Sequence, residues 1–368
     1  MDNVEQLKQM DSQKLEQILR NLNKDFDDFA NDLSLGKNPE FAPPFNDYLS
    51  GDEDVIDYCH SVFQKYLGKL ESFDKNQLNS INYIMKRIIE RNSGQQIKFD
   101  LFSEVKLVCD TIIDTLIYLF KGLPSEALGT LEKGFLNNDC HLLKILTQIR
   151  LERPIFYRVR KGKYTEPKNI FHVPFELRNK CDSYRYSILG YPSLYLAASI
   201  ETGLKECHIE SDTEYSCSVF KSERVLCFID LSLPYLPNNK KLNFIDQYSL
   251  LISYPIIIAC GLKVKNPDDP YKPEYAFPQV FFQLLRLHSK GIDGVSYTST
   301  RYEKPDLTKY EQRNFVLFIK EADKRNGYDE NLSNTFSLTA PIQFNDIESL
   351  EKKQQQIMSS TFQKIQNN

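Results

Sequence analysis

The spacing of apolar residues changes character at Arg153. Ahead of it they recur at steps of three and four, the period of an amphipathic helix. Leu15, Ile18, Leu19, Leu22, Phe26, Phe29 and Leu33 fall on one face of a helix predicted over 3–34. Gly36, Pro39, Pro43 and Pro44 then mark a loop. Further helices are predicted over 55–70 and 75–91, and another carries Leu101, Val105, Val108, Ile112, Leu116 and Leu119 on one side. Gly122 and Pro124 close that helix and open the next, over 125–136, and a last piece is predicted over 141–150. Residues 1–150 are therefore expected to form an all-helical bundle domain.

From Arg153 onward the runs are short and β-rich, at 155–160, 194–197, 215–220, 224–230, 293–297 and 315–320. Helical segments at 200–210, 250–261 and 278–289 lie between them, with a proline- and acid-rich loop at 265–274. The expected class is α+β: a mixed α/β body over 151–345 behind the helical domain, followed by a polar C-terminal helix within 346–368. There is no internal repeat.

Composition removes several function classes. A net charge of −4 and an isoelectric point near 5.9 leave no basic footprint for a dedicated nucleic-acid binder. The opening residues are acidic and polar, and the longest apolar run, 250–262, is too short to span a bilayer. A cytoplasmic protein with no membrane association is expected. The eight cysteines form no CxxC pair, and where they adjoin His they do so directly, as in Cys59-His60, so no metal site is expected. No glycine-rich phosphate loop and no HExxH occurs.

The stretch 171–206, FHVPFELRNKCDSYRYSILGYPSLYLAASIETGLKE, carries the chemistry. It sets an Arg- and aromatic-rich segment against a short strand, then a helical run whose first acid facing back toward the strand end is Glu206. Guanidinium forks pair with phosphate oxygens, ring faces stack on bases, and a carboxylate stabilises a developing cation. Such a set suits an anionic ligand bearing a flat heterocycle.

On these residues the chain resembles the RES domain family, whose studied members are toxin halves of bacterial toxin–antitoxin pairs. The match runs over most of 153–321, a little under half of the chain, and is to the family's longer members. The resemblance implies a fold related to ADP-ribosyltransferase toxins and an activity that destroys NAD by breaking its nicotinamide–ribose bond, as a glycohydrolase (a hydrolase) or a phosphorylase. NAD is then the substrate, and no cofactor or metal is implied. An antitoxin or immunity protein becomes an expected partner, and the helical domain, which compact members lack, a candidate dimerisation element.

The same resemblance assigns roles. Glu206 falls where the family's Glu stands, with Glu201 too early and Glu210 one turn too late. Arg158 matches the first Arg, although strand alternation puts Arg160 on the same face. Arg185 matches an Arg followed in compact members by Trp-Asn; here Tyr186 and Ser187 follow it. Tyr186 or Tyr195 is a candidate ring to stack on the substrate, and His172 a candidate ribose or phosphate contact. The family's Ser corresponds to Ser299, with Ser296 as the alternative, and Asn314 fits the pattern nearby. Two other readings remain open on residues alone: mono-ADP-ribosyl transfer to a protein or nucleic acid, and a non-catalytic module that binds an NAD-derived nucleotide.

Overall fold

The computed structural model describes residues 24–38, 40–43, 45–93, 98–136, 146–208, 213–233, 241–307, 309–321, 323–345, 353, 357 and 359–365. The predicted helix face from Leu15 to Leu22 and the first half of the helix predicted over 141–150 lie outside these residues.

In chain order the elements are α1 (Lys24–Ser34), α2 (Asn46–Ser50), α3 (Val55–Glu71), α4 (Lys75–Ser93), α5 (Leu101–Phe120), α6 (Pro124–Leu136), β1 (Gln148–Leu151), β2 (Ile155–Lys161), β3 (Leu194–Ala197) and α7 (Ile200–Glu206). They continue with β4 (Tyr215–Ser222), β5 (Leu226–Asp230), α8 (Phe244–Gly261), α9 (Ala276–His288), β6 (Gly294–Thr298), β7 (Arg313–Leu317), α10 (Glu330–Thr335), β8 (Phe336–Thr339), β9 (Ile342–Phe344) and β10 (Phe362–Lys364). The class is α+β, helices first and a mixed sheet after.

The chain divides into two compact units: Met1–Thr147 with Leu236–Val280, and Gln148–Tyr235 with Phe281–Asn368. The sequence reading assigns 236–280 to the second domain; the structure groups it with the front helices. The reason lies in α8, which is buried all round from Gln247 to Cys260 and is covered by α5, α1 and α3. A helix apolar on every face needs a shell of neighbours. By length and composition alone α8 would also cross a bilayer, but 83% of it is buried inside the protein. Pro255 sits within it and cannot donate to the Leu251 carbonyl; the Tyr66 hydroxyl donates to that oxygen instead, at 3.0 Å.

The second unit is built on a 10-stranded sheet in the order β1-β5-β6-β7-β3-β2-β4-β8-β10, with β9 on β4. The pairings are antiparallel except β5 with β6. Alternation along β2 sends Phe156 into one core, with Phe171, Leu196, Phe315 and Phe336, and Val159 into another, with Leu204, Cys217 and Phe344. Two boundaries differ from expectation. Residues 148–150, predicted helical, open β1, because Ile149 and Leu151 pair with β5 and pack on the first core. The predicted C-terminal helix is helical at Lys353 and Ile357, but Phe362–Lys364 is strand β10, paired with β8. That pairing covers an edge otherwise left with open backbone groups.

Candidate active site

Helix α7 sets the position of Glu206. Ser199 caps its start, accepting from Thr202 N–H, and the hydroxyls of Ser199 and Thr202 both donate to the Glu311 carbonyl, at 2.8 and 2.6 Å. The helix lies against β2 because Gly203 has no Cβ; a methyl there would stand 2.9 Å from Cγ2 of Val159. Glu206 is the last residue of α7, at the end where the helix dipole disfavours negative charge. Side chains from elsewhere offset this. Its Oε1 accepts from Ser299 Oγ at 2.6 Å and from Asn314 Nδ2 at 2.5 Å. Its Oε2 faces Arg301 Nε at 3.6 Å. Ser299 and Asn314 are both buried, so these donors are fixed before any ligand arrives. The Arg301 N–H donates to Ser299 Oγ, which leaves the hydroxyl proton for Glu206.

Arg158 stands on β2, the strand against which α7 packs. That strand pairs with β4 along its whole length but with β3 only where Tyr157 stands opposite Ala197. Where the two strands part, Arg158 Nη1 donates to the Tyr195 carbonyl at 2.8 Å. Its Nε is enclosed and has no hydrogen-bond partner. Burial, reinforced by the like charge of Arg160, pulls the guanidinium down to about 10, so it stays protonated at neutral pH. An enclosed cation with an unspent donor is an arrangement that an anionic ligand completes. Cys207, next to Glu206, ties the two sides together. Burial pushes its thiol up to about 11, Arg158 pulls it down, and Glu206 pushes it up, so it lies within electrostatic reach of both.

Arg185 is buried and donates to Thr300 Oγ1 at 3.2 Å. The consecutive residues Ser299, Thr300 and Arg301 therefore touch Glu206, Arg185 and Glu206 in turn. Tyr195 is half-buried; its hydroxyl accepts from Tyr186 N–H at 3.0 Å and lies 3.1 Å from Ser187 Oγ. Its ring meets the exposed Tyr184 edge-on.

Four candidates take other places. Tyr186 is fully buried, packed on Tyr297 and Phe282, and is a core ring rather than a substrate wall. His172 is buried with both nitrogens engaged: Nδ1 donates to the Val173 carbonyl and Nε2 accepts from Asp329 N–H. Burial lowers it to about 4, so it is a neutral cross-link and not a ribose or phosphate contact. Ser296 donates to Asp230 Oδ1 within a buried cluster that also holds Ser232 and Arg313, which leaves Ser299 as the serine at the carboxylate. Arg160 is engaged by the Asn169 carbonyl and the Tyr164 ring, which separates it from Arg158. Among the described residues no cluster could hold a metal ion. Sequence reasoning missed Arg301 and Thr300; the signal was their direct succession to Ser299.

No family model matches the chain, and no solved structure matches it. The chain is similar to a protein of Bacillus subtilis (strain 168) named "Putative toxin YopC": the two are 23% identical over 316 residues, covering 80% of this chain and 71% of that protein.

Proposed function

We propose that the second unit cleaves the nicotinamide–ribose bond of NAD, and that the chain acts as a toxin. The carrying observation is Glu206, fixed by Ser299 and Asn314 at the end of a helix that packs on β2, the strand that carries the enclosed guanidinium of Arg158. As the bond from C1 of the ribose to the pyridinium nitrogen breaks, its electron pair leaves with nicotinamide, which departs neutral. The ribose gains the positive charge, as in glycoside cleavage. A carboxylate held beside it stabilises that charge more in the transition state than in the ground state, which is the condition for raising the rate. Arg158 and Arg185 supply cations for the pyrophosphate, where a planar fork outperforms Lys. Water then bonds to C1 and releases a proton, giving ADP-ribose; inorganic phosphate in its place gives the 1-phosphate of ADP-ribose.

The resemblance of 153–321 to RES domains, and of most of the chain to a relative whose name includes the word toxin, support this reading. The fold related to ADP-ribosyltransferase toxins is part of the same proposal. Purified protein incubated with NAD, with and without inorganic phosphate, is expected to release nicotinamide, and the mass of the second product identifies the acceptor. Label from NAD appearing on protein or nucleic acid favours transfer instead. Intact NAD overturns the enzymatic reading and leaves a binding module.

A further inference from the structure

We infer that Arg301 is a substrate-operated latch: its guanidinium neutralises Glu206 until a phosphate-bearing substrate draws it away. The inference rests on the reading of the site as one for NAD. The two carboxylate oxygens of Glu206 are treated differently. Oε1 accepts from two buried donors, Ser299 Oγ and Asn314 Nδ2. Oε2 has Arg301 for its partner at 3.6 Å, longer than a hydrogen bond, with the two side chains 28% and 32% exposed. Loose, partly exposed ion pairs are weakly held and readily exchanged. Oε2 is thus the oxygen open to a ribose hydroxyl, and Arg301 is the group that stands on its open side.

A guanidinium in that position opposes catalysis. It cancels the negative field that a cationic ribose requires. The same guanidinium suits a pyrophosphate, to which it would bond bidentately. Its backbone N–H also holds Ser299 Oγ, so the main chain can keep the serine in place while the side chain moves. A substrate carrying phosphate next to the ribose would take the cation and expose Oε2 in one step; a substrate with the same scissile bond and no phosphate would leave the latch shut. The site would then select dinucleotides through the state of its own carboxylate, in addition to direct contact.

The test compares NAD with nicotinamide riboside, which has the bond and no phosphate, in the full-length protein and in Arg301→Met and Arg301→Lys. Wild type is expected to cleave NAD well and the riboside poorly. In Arg301→Met the KM for NAD rises about tenfold, while kcat on the riboside increases, so the preference collapses from both sides. Arg301→Lys restores most of it. Equal losses of kcat on both substrates in Arg301→Met, or no change on either, overturn the latch while leaving NAD cleavage standing. A wild type that releases no nicotinamide from NAD removes the underlying reading and the latch with it. Unfolding curves for the three proteins separate these outcomes from misfolding.

Discussion

The hydroxyl of Ser299 donates to Oε1 of Glu206 at 2.6 Å across 93 residues of chain. One partner ends a helix and the other follows a strand, and Asn314 of a third element bonds the same oxygen. The carboxylate is held from directions that no single segment could supply.

Serine replacements should separate by place. Ser299→Ala removes a donor to the working carboxylate and is expected to lower kcat for nicotinamide release about a hundredfold, the usual cost of one preset donor. Ser296→Ala should leave kcat within about twofold but lower stability by about 1–2 kcal/mol, because Asp230 loses a buried partner. Urea unfolding beside steady-state kinetics distinguishes the two, and equal kinetic effects would contradict the assignment.

Gly203→Ala should push α7 off β2. The added methyl meets Val159 Cγ2 at 2.9 Å, and overpacking of this kind costs about 1–3 kcal/mol. Because Glu206 ends the same helix, kcat should fall as well. Adding Val159→Ala opens room for the methyl, so the double variant should recover activity relative to Gly203→Ala, an interaction that a double-mutant cycle measures.

His172 makes stability depend on pH. Its folded-state pKa, about 4, lies below the ordinary value of 6.5, so the unfolded chain binds more protons between the two. The neutral ring's contribution is complete above pH 6.5 and is lost as pH falls toward 4, amounting to about 3 kcal/mol. His172→Asn is expected to flatten the fall in stability across that window. Denaturant titrations at pH 7, 5.5 and 4.5 check it; parallel curves for variant and wild type would refute it.

Truncation should obey the units and not the linear order. Deleting 1–147 strips α8 of α5, α1 and α3 and exposes an 18-residue apolar helix, so the product should aggregate. Deleting 236–280 as well, with a flexible linker from 235 to 281, should give a soluble protein on gel filtration. The opposite solubilities would mean that α8 belongs with the sheet.

The helices and strands were legible because their periods are strong: α5, β2, β3 and β4 stand close to where apolar spacing put them. The allegiance of 236–280 was not, since a helix apolar all round carries no face that says which neighbours cover it. The pairing of Glu206 with Ser299 was anticipated by resemblance, but Arg158 and Arg160 share a strand face, and their partners, the Tyr195 carbonyl for one and the Asn169 carbonyl and Tyr164 ring for the other, tell them apart. Tyr186 and His172 were misread because composition shows an aromatic or a His but not its burial. Arg301 escaped because its partner lies far along the chain, at the end of α7.

The central claim is that the Glu206 carboxylate stabilises positive charge on a ribose as nicotinamide leaves. Glu206→Gln preserves size and most hydrogen bonds while removing the charge. Single-turnover release of nicotinamide from NAD, measured on wild type and Glu206→Gln at matched folded concentration, is the direct test. The account predicts release by wild type and a loss of at least about a hundredfold in the variant with little change in NAD affinity; equal rates from the two proteins would contradict it.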